Sequence, residues 1–166
     1  MGDKDINVLF VDDEVNILNA LKRELFDQPY NKFFAKSGNE ALKIMRENEI
    51  AVIVTDLNMP ELNGLELLYS VKENYPDTIR IILSAFTDIR VVLEAISTGE
   101  THRFITKPWD RDRELIPVIN QSIEYYKACK ERKRLIKEVE SLKEKVKKLE
   151  EENRELKEKI KERKKS

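Results

Sequence analysis

Between Asp5 and Tyr126 the apolar residues follow two alternating patterns. Short runs at Ile6 to Val11, Lys32 to Lys36, Ala51 to Thr55, Ile79 to Ser84 and Arg103 to Thr106 have the length and apolar density of buried strands. Between them, Val15 to Phe26, Asn39 to Glu47, Leu65 to Asn74 and Ile89 to Ser97 carry apolar residues at helical spacing. Regular alternation of this kind predicts an α/β fold, a five-stranded parallel sheet with crossover helices. Punctuation agrees with it: Ser37 and Glu40 form a capping box for the second helix, Gly64 lies in the turn before the third, and Pro76-Asp77 follows the third.

After Tyr126 the pattern changes. Glycine and proline vanish, and Leu135, Val139, Leu142, Val146, Leu149, Asn153, Leu156 and Ile160 recur at alternating intervals of four and three. With the leucines at d, the a positions are Val139, Val146, Asn153 and Ile160, which predicts a coiled coil within residues 127–166. In a parallel pair Glu138 faces Lys143, Lys145 faces Glu150 and Glu152 faces Lys157, each attraction worth about 0.3 kcal/mol at an exposed site. β-Branched a residues with leucine at d favour two strands, and Asn153 paired across the axis fixes register. The expectation is a parallel homodimer. Extended backward, the register puts Arg132 and Tyr125 at a, with Ala128 and Gln121 at d, so the seam is weak at its junction with the preceding region.

Composition narrows the partners. Of the 166 residues 38% are charged, but 31 Lys and Arg nearly cancel 32 Asp and Glu, so no global field favours nucleic acid or an anionic membrane. No apolar run approaches a bilayer span, and the single cysteine, Cys129, excludes an internal disulfide; a cytoplasmic protein is expected. The only histidine, His102, is read as structural.

In a parallel open sheet the functional crevice lies beyond the carboxyl ends of the strands. Those ends carry Asp12 and Asp13, Asp56, Ser84, and Lys107 before Pro108. Clustered carboxylates raise one another's pKa unless a cation neutralises them, and oxygen donors without His or Cys select a hard ion, Mg²⁺ before others. One divalent ion, a spare carboxylate, a hydroxyl and an ammonium suit phosphoryl transfer, with Asp56 as acceptor of a transient acyl phosphate.

At this point "VLFVDDE", "VTDLNMPELNGLELL", "ILSAFTD" and "FITKPW" resemble the receiver domain of two-component response regulators, over roughly residues 5 to 126. The resemblance implies a doubly wound, flavodoxin-like receiver over residues 1–126, phosphorylated on Asp56 by a sensor histidine kinase. It also implies Mg²⁺ held by Asp12, Asp13, Asp56 and the backbone carbonyl of Asn58, phosphoryl contacts from Ser84 and Lys107, and an aromatic switch at Phe104. Asn58 and Phe86 fall where the family tunes phosphate lifetime, and bulky Phe86 is expected to hinder the attacking water. Such a domain catalyses only its own phosphorylation chemistry and is a signalling protein, not an enzyme. Receivers joined to a coiled coil resemble regulators with downstream effector modules, so the expected output is an effector domain or a partner.

Each residue also has a plainer reading. Asp13 caps the first helix, Glu14 complements its dipole, Ser84 is a strand-end hydroxyl, Lys107 a surface charge, and Phe104 core packing. Pro117 lacks an N–H, so the last helix is expected to begin near Leu115 or to kink there. Two other functions fit parts of the pattern. An Mg²⁺-dependent phosphatase acting through an aspartyl phosphate needs a substrate-selecting cap, for which the loops look too short. A basic-zipper DNA binder needs more than the short run "KACKERKRL".

Overall fold

The computed structural model describes residues 2–165. It divides into two compact units, Met1–Lys127 and Ala128–Ser166. In the first, strands β1 (Asn7–Val11), β2 (Asn31–Ala35), β3 (Val52–Thr55), β4 (Ile79–Ala85) and β5 (Arg103–Lys107) form one parallel sheet in the order β2-β1-β3-β4-β5. Helices α1 (Val15–Glu24), α2 (Gly38–Glu47), α3 (Gly64–Asn74) and α4 (Ile89–Ser97) fill the crossovers, and α5 (Ile116–Lys165) follows β5.

Alternation along each strand divides the core between the two sheet faces. Val8, Phe10, Val52, Val54, Ile81 and Leu83 pack with Leu18 and Leu21 of α1 and with Ile119 and Ile123 of α5. Leu9, Val11, Ile53 and Ile82 pack on the other face with Ala41 and Met45 of α2, Leu67 and Val71 of α3, and Val92 and Ala95 of α4. Both faces are thus covered, which is why the central runs at residues 8–11, 52–54 and 81–83 are apolar at every position instead of alternating with polar residues.

Most local signals hold. Ser37 Oγ accepts from Glu40 N at 3.1 Å, and Glu40 Oε2 accepts from Lys36 N at 3.0 Å, so the capping box reaches one residue further back than its usual form. Helix α5 begins at Ile116, placing Pro117 in the first turn, where a missing N–H breaks nothing. A π-helical turn, Arg111–Leu115, leads into it, closed by Asp110 Oδ1 accepting from Asp112 N and Arg113 N.

One boundary and two of the plainer readings are overturned. The first helix ends at Glu24, not Phe26: Phe26 is exposed and contributes no packing to extend it. Asp13 is not the cap of α1. That position belongs to Glu14, whose N–H is bound by Asp12 Oδ1 at 2.9 Å. Lys107 is no surface charge, as its side chain is only 16% exposed. Arg80 is a further surprise within an apolar strand. Its buried guanidinium donates to the carbonyls of Thr78, Gly99 and Glu100, and so ties β4 to the loop after α4. His102 has the structural role expected of it, its Nδ1 accepting from Arg80 N at 3.1 Å.

Candidate functional site

The parallel ladder carries the candidate acids to one edge. Asp12 follows β1, with its N–H bonded to Ala35 O at the end of β2; Asp56 follows β3, with its N–H bonded to Val11 O. The strand ends therefore hand two carboxylates to the same crevice, and Asp13 adds a third from the solvent side. One oxygen from each of Asp12, Asp13 and Asp56 lies within 4.8 Å of the others, with Asp12 and Asp56 buried and Asp13 exposed. An all-oxygen donor set of this size fits a hard divalent ion.

Lys107, the last residue of β5, reaches into this cluster. Its Nζ lies 2.7 Å from Asp12 Oδ2 and 3.4 Å from Asp56 Oδ2. The peptide joining Lys107 to Pro108 is cis. Burial works against the ammonium's charge, but its hydrogen bond to Asp12 and the charges of Asp12 and Asp56 outweigh this and hold its pKa above the usual lysine value. Asp56 shows the opposite balance. Burial raises its pKa, the Lys107 charge lowers it, the Asp12 charge raises it, and the sum is upward, leaving a carboxyl that ionises less readily than an ordinary aspartate. Its Oδ1 accepts from Leu57 N at 2.8 Å, which fixes the orientation of the carboxylate.

Ser84 is buried near the end of β4 but is not directed at Asp56: its hydroxyl donates to Asp88 Oδ2 at 2.8 Å. The same oxygen accepts from Asn58 Nδ2 at 3.1 Å. Phe86 stands exposed in the 3₁₀ turn Phe86–Asp88 that follows β4. Phe104 is partly buried on β5 beside Ile82 and packs against the core shared with α3 and α4.

Two residues of the site carry roles that the sequence reading did not assign. Gly64 opens α3 directly beneath Asp56, and a Cβ there would lie 2.0 Å from the Asp56 carbonyl oxygen, so the turn closes only with glycine. Asp88 is the other. An aspartate before an apolar-periodic segment signals a helix start, and Asp88 is indeed the N-cap residue of α4, but its side chain does not cap that helix. Only the tertiary contact with Ser84 and Asn58 reveals what it does instead.

In the second unit, the heptad residues Leu135, Val139, Leu142, Val146, Leu149, Leu156 and Ile160 are 46% to 63% exposed, and Asn153 is exposed with them. Glu138 binds Arg134 within its own helix at 3.0 Å. No helix of the described residues is long and apolar enough to cross a membrane.

Comparison with known proteins gives a consistent result. Residues 8–120 match the family model described as response regulator receiver domain. Hydrogenase transcriptional regulatory protein HoxA of Cupriavidus necator is 35% identical over 124 residues, which are 75% of this chain and 25% of HoxA. A putative NtrX-like response regulator of Rickettsia conorii is 33% identical over 76% of this chain and 27% of its own length. The chain thus spans about a quarter of the curated relatives it matches. Among solved structures, the signal receiver domain of an HD domain-containing protein from Pseudomonas fluorescens superposes with a TM-score of 0.74 at 30% identity, covering 80% of this chain and 96% of that one. Strand order, converging carboxylates and sequence relationship agree, and the chain belongs to the response regulator receiver domain family.

Proposed function

We propose that this receiver takes a phosphoryl group on Asp56 from the phosphohistidine of a sensor histidine kinase. The observation that carries the reading is the position of Asp56: 5% exposed, oriented by Leu57 N, and 3.4 Å from the Lys107 ammonium at the end of β5. An Asp56 oxygen forms the new O–P bond as the N–P bond of phosphohistidine breaks. The electron pair returns to the imidazole, which leaves neutral because its other nitrogen carries a proton. Lys107, already held between Asp12 and Asp56, pairs with the incoming phosphoryl oxygens, and the Ser84 hydroxyl donates to one of them after leaving Asp88.

Asp12, Asp13 and Asp56, with the backbone carbonyl of Asn58, are the residues that would hold Mg²⁺, whose charge offsets that spread over the phosphoryl oxygens. Phe104 reports the movement of Ser84 to the α4–β5 surface. Phe86 and Asn58 flank the approach of water and set how long the acyl phosphate lasts. The chain turns over only its own phosphoryl group, which makes it a signalling protein of the cytoplasm and not a metabolic enzyme.

Intact-mass spectrometry after incubation with a small phosphodonor and magnesium tests this. One phosphoryl increment is expected on the wild type and none on Asp56→Asn; an equal increment on both overturns the assignment.

The heptad stripe supports a parallel homodimer through which the receivers address an effector domain or partner. Its apolar residues are half exposed in a single chain, and a second copy supplies the missing face. Sedimentation equilibrium is expected to return a dimer, with Asn153→Val relaxing the assembly toward higher order; a wild-type monomer at micromolar concentration excludes the coiled coil.

A further inference from the structure

A serine hydroxyl has one proton to donate. In this structure that proton is committed to Asp88 Oδ2 at 2.8 Å, and the same oxygen holds Asn58 Nδ2 at 3.1 Å. Asp88 closes the 3₁₀ turn after β4 and occupies the N-cap position of α4, yet it makes no side-chain cap hydrogen bond to that helix. The usual task of an aspartate at this position, accepting from the free N–H groups of the first turn, is left undone. The Asp88 carboxylate thus serves Ser84 and Asn58 and leaves the start of α4 without a side-chain cap.

We propose that Asp88 is a positioning residue, a latch that parks the Ser84 hydroxyl away from Asp56 in the unmodified protein and turns to cap α4 once Ser84 is drawn to the phosphoryl group. The inference rests on the phosphoryl reading above and adds to it the device that resists modification and transmits it. Because Ser84 donates to one acceptor at a time, the Asp88 bond and a phosphoryl bond exclude each other. Linkage then requires that whatever weakens the first favours the second by the same factor. The released carboxylate gains the first-turn N–H groups of α4, so the same event that secures the phosphate also changes the start of the helix next to the site. Asn58, held by the same oxygen, is released together with Ser84.

The test uses three variants of the full chain, compared by the rate of modification with a small phosphodonor and magnesium. Asp88→Ala removes the latch and is expected to speed modification about tenfold, the factor appropriate to one lost hydrogen bond to a charged group. Asp88→Asn keeps an acceptor oxygen in place without the charge and is expected to fall between Asp88→Ala and wild type. In a Ser84→Ala background the gain from Asp88→Ala is expected to vanish. In the unmodified protein, the side-chain amide NMR signals of Asn58 are expected to move in Asp88→Ala.

Equal rates for Asp88→Ala and wild type overturn the latch alone, since the receiver chemistry is then intact. Equal gains in Asp88→Asn and Asp88→Ala overturn it in favour of simple charge repulsion. A gain that survives in the Ser84→Ala background, or unmoved Asn58 signals, overturns it as well. A wild type that takes no phosphoryl group at all overturns the phosphoryl reading, and the latch as a switch falls with it.

Discussion

Replacing Lys107 by methionine removes the ammonium while keeping the length of the side chain. At an effective dielectric near 20, Coulomb's law gives about 6 kcal/mol for the 2.7 Å contact with Asp12 and about 5 kcal/mol for the 3.4 Å contact with Asp56. These are gross attractions, and desolvation of the ammonium and both carboxylates offsets much of them. What the variant exposes is the cost of leaving two carboxylates, 1% and 7% exposed, without their cation, which for buried pairs is about 3–5 kcal/mol. Urea unfolding at pH 7 in chelated buffer measures it as a lower midpoint with an unchanged slope. Adding Asp12→Asn to the same chain removes one stranded charge and is expected to restore part of the loss. A loss below about 1 kcal/mol refutes the reasoning, because it is what an exposed ion pair contributes. An equal loss in both backgrounds also refutes it, since the effect is then packing and not charge.

Other consequences follow from the same geometry. The pKa of Asp56 is raised in the fold, so its ionisation costs stability as pH rises above the unfolded value of 3.8; in chelated buffer Asp56→Asn is expected to melt higher than wild type at pH 7, with the gap closing as pH falls toward that unfolded value. Gly64→Ala forces a Cβ to within 2.0 Å of the Asp56 carbonyl oxygen and 2.7 Å of Leu57 Cα, a backbone clash expected to cost about 3 kcal/mol by urea unfolding and to slow modification of Asp56. Arg80→Met strands the carbonyls of Thr78, Gly99 and Glu100 and is expected to cost about 2–4 kcal/mol, with faster hydrogen exchange in the loop after α4.

How legible each part was depends on the range of the interaction that fixes it. The strands were readable because a sheet covered on both faces favours unbroken apolar runs, and residues 8–11 and 81–83 are such runs, buried at every position. Asp12, Asp56 and Lys107 were readable because parallel strands end on one edge whatever their loops do. Arg80 was not, since the carbonyls that justify its burial lie about twenty residues further on and carry no side-chain signature. Asp13 and Asp88 show a related limit of local signals. Each sits where a cap belongs, but Asp12 serves the start of α1, and Ser84 takes the carboxylate that α4 would use. Local propensity names the candidates for a role, and tertiary contacts decide between them.

The account rests on Asp56 as the phosphoryl carrier, and reductive trapping tests that most directly. Borohydride converts an aspartyl phosphate to homoserine, which peptide mass spectrometry locates to a single residue. After treatment with a phosphodonor and magnesium, homoserine is expected at position 56 and at neither Asp12 nor Asp13. Homoserine at either of those positions, or at none, contradicts the account.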